Sequence, residues 1–125
     1  LINFVAALKS SFYGQLAIGQ INTNIEHAFF SAKKSFELRP KEHSNANRLG
    51  NISEMAFAKT QNPAYLAVAV KSYAWAVRDE PQEALNHYLL GIALLQVNQT
   101  AFSTSHFNRA INLEPNNPIY IKRGK

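Results

Sequence analysis

Three prolines divide this chain into stretches that end alike, and that repetition limits the fold more than any other feature. Pro40, Pro81 and Pro115 close the segments Ser35-Phe36-Glu37-Leu38-Arg39-Pro40, Ala76-Val77-Arg78-Asp79-Glu80-Pro81 and Ala110-Ile111-Asn112-Leu113-Glu114-Pro115. Endings of one kind imply a repeated unit, each copy of which needs its neighbours to bury its apolar face. The prolines lie 41 and 34 residues apart, so one unit carries about seven extra residues. Each unit is also interrupted midway, at Gln20-Ile21-Asn22-Thr23, Thr60-Gln61-Asn62-Pro63 and Val97-Asn98-Gln99-Thr100. Such clusters are turn and helix-start chemistry, so each unit reads as two helices joined by a short turn. Helices are expected near 2–19, 24–38, 43–60, 64–79, 82–97 and 100–113, in units of about 1–40, 41–81 and 82–115 within one domain, 1–125.

Apolar periodicity favours helix throughout. Leu1, Phe4, Val5, Leu8, Phe12 and Leu16 recur at intervals of three and four and so share one helical face, as do Phe107, Ala110, Ile111 and Leu113. No stretch alternates like a strand, and Asn-Gly and Asp-Gly hairpin pairs are absent. The fold class is all-α. Gly14 falls inside the first helix, and Gly19 is read as helping to end it. Beyond Pro115, Asn117 can cap a further helix and Pro118 suits its first turn, so 116–125 is either a partial cap or the start of a next repeat.

Composition narrows the classes of function. With 125 residues, 46% of them hydrophobic and only 17% charged, the chain can bury a core and does not resemble a solvated tail. It has no cysteine, which removes disulfides, thiolate metal sites and a cysteine nucleophile. Apolar runs such as Ala64 to Val70 are too short to span a bilayer, so the visible chain is expected to be soluble. Leu1 stands where Met would begin a primary product, which suggests a fragment or a processed chain. The compartment is left open, with the cytoplasm as the default expectation. The net charge of +5 and pI of about 9.6 are spread along the chain, and only Lys122, Arg123 and Lys125 cluster. No groove-reading motif accompanies that charge, so nucleic acid is not the expected partner.

The third unit resembles the tetratricopeptide repeat. His87 takes the first large position of that pattern, Leu90-Gly91 its Leu-Gly pair and Leu94 the next apolar position, followed by Ser103, Phe107, Ala110 and Pro115 at the family's spacings. His87 departs from the usual aromatic. The second unit matches over Ala69, Tyr73, Ala76 and Pro81, but the simple register puts Phe57 where glycine is expected; the first keeps Ala28, Ala32, Ser35 and Pro40. The resemblance implies a right-handed solenoid of three antiparallel helix pairs plus the start of a further helix or cap. Gly91 would let its partner helix approach closely, with Ser103 and Ala110 keeping the facing ridge low and Phe107 filling the space.

Catalytic and metal chemistry find little footing. His27, His43, His87 and His106 form no HExxH arrangement, and none lies three or four residues from another, so they are expected to be unrelated packing or surface residues. Glu26 and His27 are adjacent, about 100° apart on a helix, and make a poor acid–base pair. Asp79, Glu80 and Glu83 are explained by a helix end and start, with Glu83 favourable in a first turn. Phosphate-binding and nucleophile-elbow glycine motifs are missing, and Trp75 is expected to pack or make an exposed contact. The chain is therefore expected to be no enzyme, with no catalytic residue, metal or cofactor.

What the resemblance supplies is a surface. In that family the first helices of successive repeats line a concave groove for a peptide or a partner's helix, which here implies Leu85, Tyr88, Ile92, Leu95 and Gln96. An open apolar groove is a binding site by default, and a covering helix pair is the alternative. Helix 82–97 has no Lys or Arg, which argues against gripping a terminal carboxylate and for an apolar or mixed segment. The expected function is a protein-binding scaffold; alternatives are a secretion chaperone of the same repeat type or a targeting domain of a larger enzyme. Contact between copies of the chain is a further expectation.

Overall fold

A computed structural model describes residues 2–42 and 44–123, with the side chains of residues 2 and 3 left aside. Leu1, His43 and Lys125, invoked above for the first apolar stripe, the histidine set and the basic cluster, lie outside the described residues. Among the described residues every regular element is helical: α1 (Ile2–Gln20), α2 (Ile25–Leu38), α3 (Asn45–Thr60), α4 (Ala64–Asp79), α5 (Ala84–Gln96), α6 (Thr100–Leu113) and α7 (Pro118–Arg123). None is long and apolar enough to cross a membrane. The chain falls into two compact units, Leu1–Ala69 and Val70–Lys125.

In the first unit, Ala17, Ile25, Ala28, Ala32, Leu49, Ile52 and Ala56 form the apolar core, with Tyr65 and Val68 from the start of α4 packed against it. Asn24 caps α2 by accepting the His27 backbone N–H at 3.0 Å. Gly19 stays helical with open space around it, so the end of α1 owes nothing to a left-handed glycine. The turn after α3 instead places Gln61 in the left-handed region, and its side-chain amide donates to the carbonyls of Phe57 and Ala58. Those bonds offset the cost of positive φ at a residue that carries a Cβ.

The apolar stripe of α1 lies on one face as its spacing predicts, but that face is exposed: Phe4, Val5, Leu8, Phe12 and Leu16 all point to solvent. The buried side of α1 is Ser10, Gly14 and Ala17. Ser10 Oγ donates to Ser35 O at 2.9 Å and Ser35 Oγ donates to Ser10 O at 2.7 Å, so each hydroxyl satisfies the other helix's backbone.

Asn45 completes that seam. Its amide nitrogen donates to Ser10 Oγ (2.8 Å), Ser35 O (3.3 Å) and Arg39 O (3.1 Å), tying the start of α3 to carbonyls at the end of α2. Asn86 does the same at the start of α5, donating to Ala76 O (3.2 Å) and Glu80 O (3.4 Å). Each asparagine stands five residues after its proline, which makes Asn45 and Asn86 equivalent. Leu49-Gly50 is then the Leu-Gly pair of the repeat 41–81, and both residues are buried, while Phe57 is half-buried. The seven extra residues between Gly50 and Ala69 are absorbed as longer helices, five on α3 and two on α4, around a turn of unchanged length.

The second unit is built around α5 and α6. Ala84, Ala110 and Tyr120 form a buried cluster against which Tyr88, Ile111 and Leu113 pack. Asn117 caps α7 by accepting the Ile119 N–H at 3.0 Å, with Pro118 in the first turn as expected. Glu83 is the residue preceding α5 and makes no side-chain capping bond, rather than standing in the first turn. Burial, with Glu114 and Glu83 nearby, raises the Tyr120 phenol above its ordinary pKa.

Candidate partner-binding face

One side of α5 is fixed by close packing. A Cβ on Gly91 would lie 2.6 Å from Phe107 Cε1, so only glycine admits the ring there. Ser103 Oγ donates to Gly91 O at 2.7 Å, and Ala110 is fully buried. Ala84, Asn86, His87, Leu90, Gly91 and Ala93 make up the buried side.

The opposite side carries the five residues implied by the resemblance, within one arc of the helix. Leu85 and Leu95 are 44% and 41% exposed, about 15 Å apart along the axis by helical rise. Gln96 is exposed and Ile92 half-buried. Tyr88 is different: its ring lies 5.0 Å from that of Tyr120 and 6.0 Å from that of Phe107, so part of it belongs to the packing of α5 against α6 and α7.

Two of the histidines are not unrelated. His87 Nε2 lies 2.8 Å from Pro81 O, and His87 Nδ1 lies 3.0 Å from His106 Nδ1. Because a carbonyl can only accept, His87 donates from Nε2 to Pro81 O, which leaves its Nδ1 facing His106 Nδ1. Burial, then the charge on His87, lowers the pKa of His106. The pairing follows from the antiparallel register around the 97–99 turn, which sets Gly91 beside Ser103 and Ala84 beside Ala110. A search along one helix at spacings of three and four cannot find it. His27 is exposed on α2. Among the described residues no three or more His, Cys, Asp or Glu side chains gather as a metal site would require.

Two further surfaces are present. Trp75 is half-buried on α4 with the Arg78 guanidinium 4.9 Å from its ring centre, beside a shallow cleft reaching Lys71 and Ala74. In the first unit, Ser10, Ser11, Arg39, Ser44, Asn45 and Arg48 line a polar cleft of about 330 Å³. Its cations are engaged: Arg48 donates to Asn45 Oδ1 at 2.9 Å, and Arg39 pairs with Glu42 at 3.5 Å.

No family model matches the sequence, and no curated protein does. Solved structures do. The first TPR of Spaghetti (RPAP3) bound to the HSP90 peptide SRMEEVD is 14% identical over 94% of this chain and 89% of its own, with a TM-score of 0.76. MamA from Desulfovibrio magneticus RS-1, residues 41 to the end, is 22% identical over 92% of this chain and 62% of its own, at 0.75. The Yersinia enterocolitica type III secretion chaperone SycD, in complex with a peptide of the translocator YopD, is 18% identical over 90% and 81%, at 0.71. With the paired helices, the Leu-Gly positions and the asparagine clasps, these likenesses give the chain a tetratricopeptide-like helical-repeat fold.

Proposed function

We propose that this chain is a non-catalytic protein-interaction scaffold that receives a peptide or a helix of a partner on the side of α5 bearing Leu85, Tyr88, Ile92, Leu95 and Gln96. The observation that carries this reading is the exposure of Leu85 and Leu95 on a helix whose other side is locked by Gly91, Ser103 and Phe107. A rigid helix presenting spaced apolar side chains loses little freedom when a partner docks. The structures of RPAP3 with an HSP90 peptide and of SycD with a YopD peptide support the use of this fold for peptide capture. The likeness to SycD also favours a chaperone of export substrates over a targeting domain. Both ring nitrogens of His87 are engaged in packing, which fits a structural and not a chemical role.

The test is selection of binding peptides from a displayed library against the whole chain, followed by calorimetric titration of the tightest. Leu85→Asp and Leu95→Asp, both at exposed positions, should each weaken binding at least about tenfold. Phe102→Asp, at an exposed apolar residue of α6, should not. Folded Leu85→Asp and Leu95→Asp proteins that bind with unchanged affinity would remove α5 from the interface.

A further inference from the structure

We infer that α1 pairs with α1 of a second copy of this chain, antiparallel and about a two-fold axis at Leu8, an interaction separate from the proposed function of α5. The starting observation is the exposure of Phe4 (63%), Leu8 (56%) and Phe12 (61%) on the same face as exposed Val5 and Leu16. These five side chains leave roughly 500 Å² of apolar surface on one helix, as large as the whole of the largest patch on a typical monomer. Pairing two such faces removes up to about 1,000 Å² from water before flanking residues are counted, the size at which specific interfaces begin.

The pattern fits a copy of itself. A closed two-fold contact must be self-complementary. Phe4 and Phe12 each stand four residues from Leu8, so reversing one helix about Leu8 sets Phe4 against Phe12 of the other copy and Leu8 against Leu8. Charge is sparse on this helix: α1 holds Lys9 as its one charged residue and no acid. The antiparallel arrangement sets both Lys9 side chains on one flank of the contact, where they are exposed and screened by water. Opposed helix dipoles favour the same orientation.

Sedimentation equilibrium of the whole chain from about 1 to 200 µM should show a dimer, and Leu8→Asp, which brings two carboxylates together at the axis, should weaken it more than about 100-fold. Leu85→Asp should leave it unchanged, which separates this contact from the α5 surface. Because the chain has no cysteine, oxidation of single-cysteine variants reads the geometry even if Leu8→Asp fails to fold. Leu8→Cys should form a disulfide-linked dimer, whereas Phe4→Cys should not, its two copies lying about 12 Å apart along the axis. A wild-type chain that stays monomeric throughout this range, a dimer indifferent to Leu8→Asp, or cross-linking of Phe4→Cys in preference to Leu8→Cys would each overturn the inference.

Discussion

The α1/α2 seam and the α5/α6 seam solve one packing problem with different chemistry. Between α5 and α6 the phenyl ring of Phe107 lies against Gly91, and Ser103 Oγ bonds the Gly91 carbonyl. Between α1 and α2, Ser10 and Ser35 exchange hydroxyl-to-backbone bonds, and Asn45 donates into the same site. There the space above Gly14 is met by the end of a long side chain, Arg48 Nη1 at 2.7 Å. One seam depends on shape and the other on satisfied polar groups. The two should therefore fail under different substitutions.

The largest difference is expected at the two glycines. Gly91→Leu forces Phe107 out of its place and should cost about 3 kcal/mol, with Ala110→Leu close behind. Gly14→Ala meets chiefly the end of Arg48, and moving it gives up the bond from Arg48 Nη1 to Asn45 Oδ1, a loss that the gain in helix propensity of about 1 kcal/mol offsets. Urea unfolding of the variants measures both; equal losses would dissolve the contrast between the seams.

Asparagine comes next. Asn45→Ala and Asn86→Ala each remove a side-chain donor from carbonyls at the end of the preceding helix that keep their backbone donors, at a cost of about 1 kcal/mol. Asn45→Ala should also untie Ser10 and Arg48, loosening the α1/α2 seam. A harmless Asn45→Ala would show that the hydroxyls alone hold that seam.

The contrast explains what was legible in the sequence. The six main helices fall within a few residues of their expected positions, because turn clusters and prolines act locally. The third repeat was readable since its packing uses Leu90, Gly91, Phe107 and Ala110, residue types that mark helix crossings wherever they occur. The earlier repeats hid their register in Asn45 and in Leu49-Gly50, displaced by seven residues of extra helix, and a small polar side chain gives no periodic signal. The apolar stripe of α1 shows the reverse error available to periodicity, which reports that residues share a face without saying whether that face is covered. Of the face on α5, the spacing placed all five residues in one arc, while the packing of Tyr88 on Tyr120 depended on a helix begun only at Pro118.

The smallest expected effect is on pH dependence, confined to the α5/α6 seam. His106 has a lowered pKa in the folded chain relative to the ordinary 6.5. Between those two values the unfolded chain binds more protons, so stability is full above pH 6.5 and is lost as the pH falls through that range. Unfolding of the wild type and of His106→Gln at several pH values should give curves that converge on acidification. Parallel curves would show that the His87–His106 contact does not sense protonation.

The α5 surface can be tested most directly by backbone chemical-shift mapping of the whole chain as the tightest selected peptide is added. The largest shifts should fall on Leu85, Ile92, Leu95 and Gln96, with little change at Phe102 on the exposed side of α6. Shifts concentrated on α6 or on α1, with α5 silent, would contradict it.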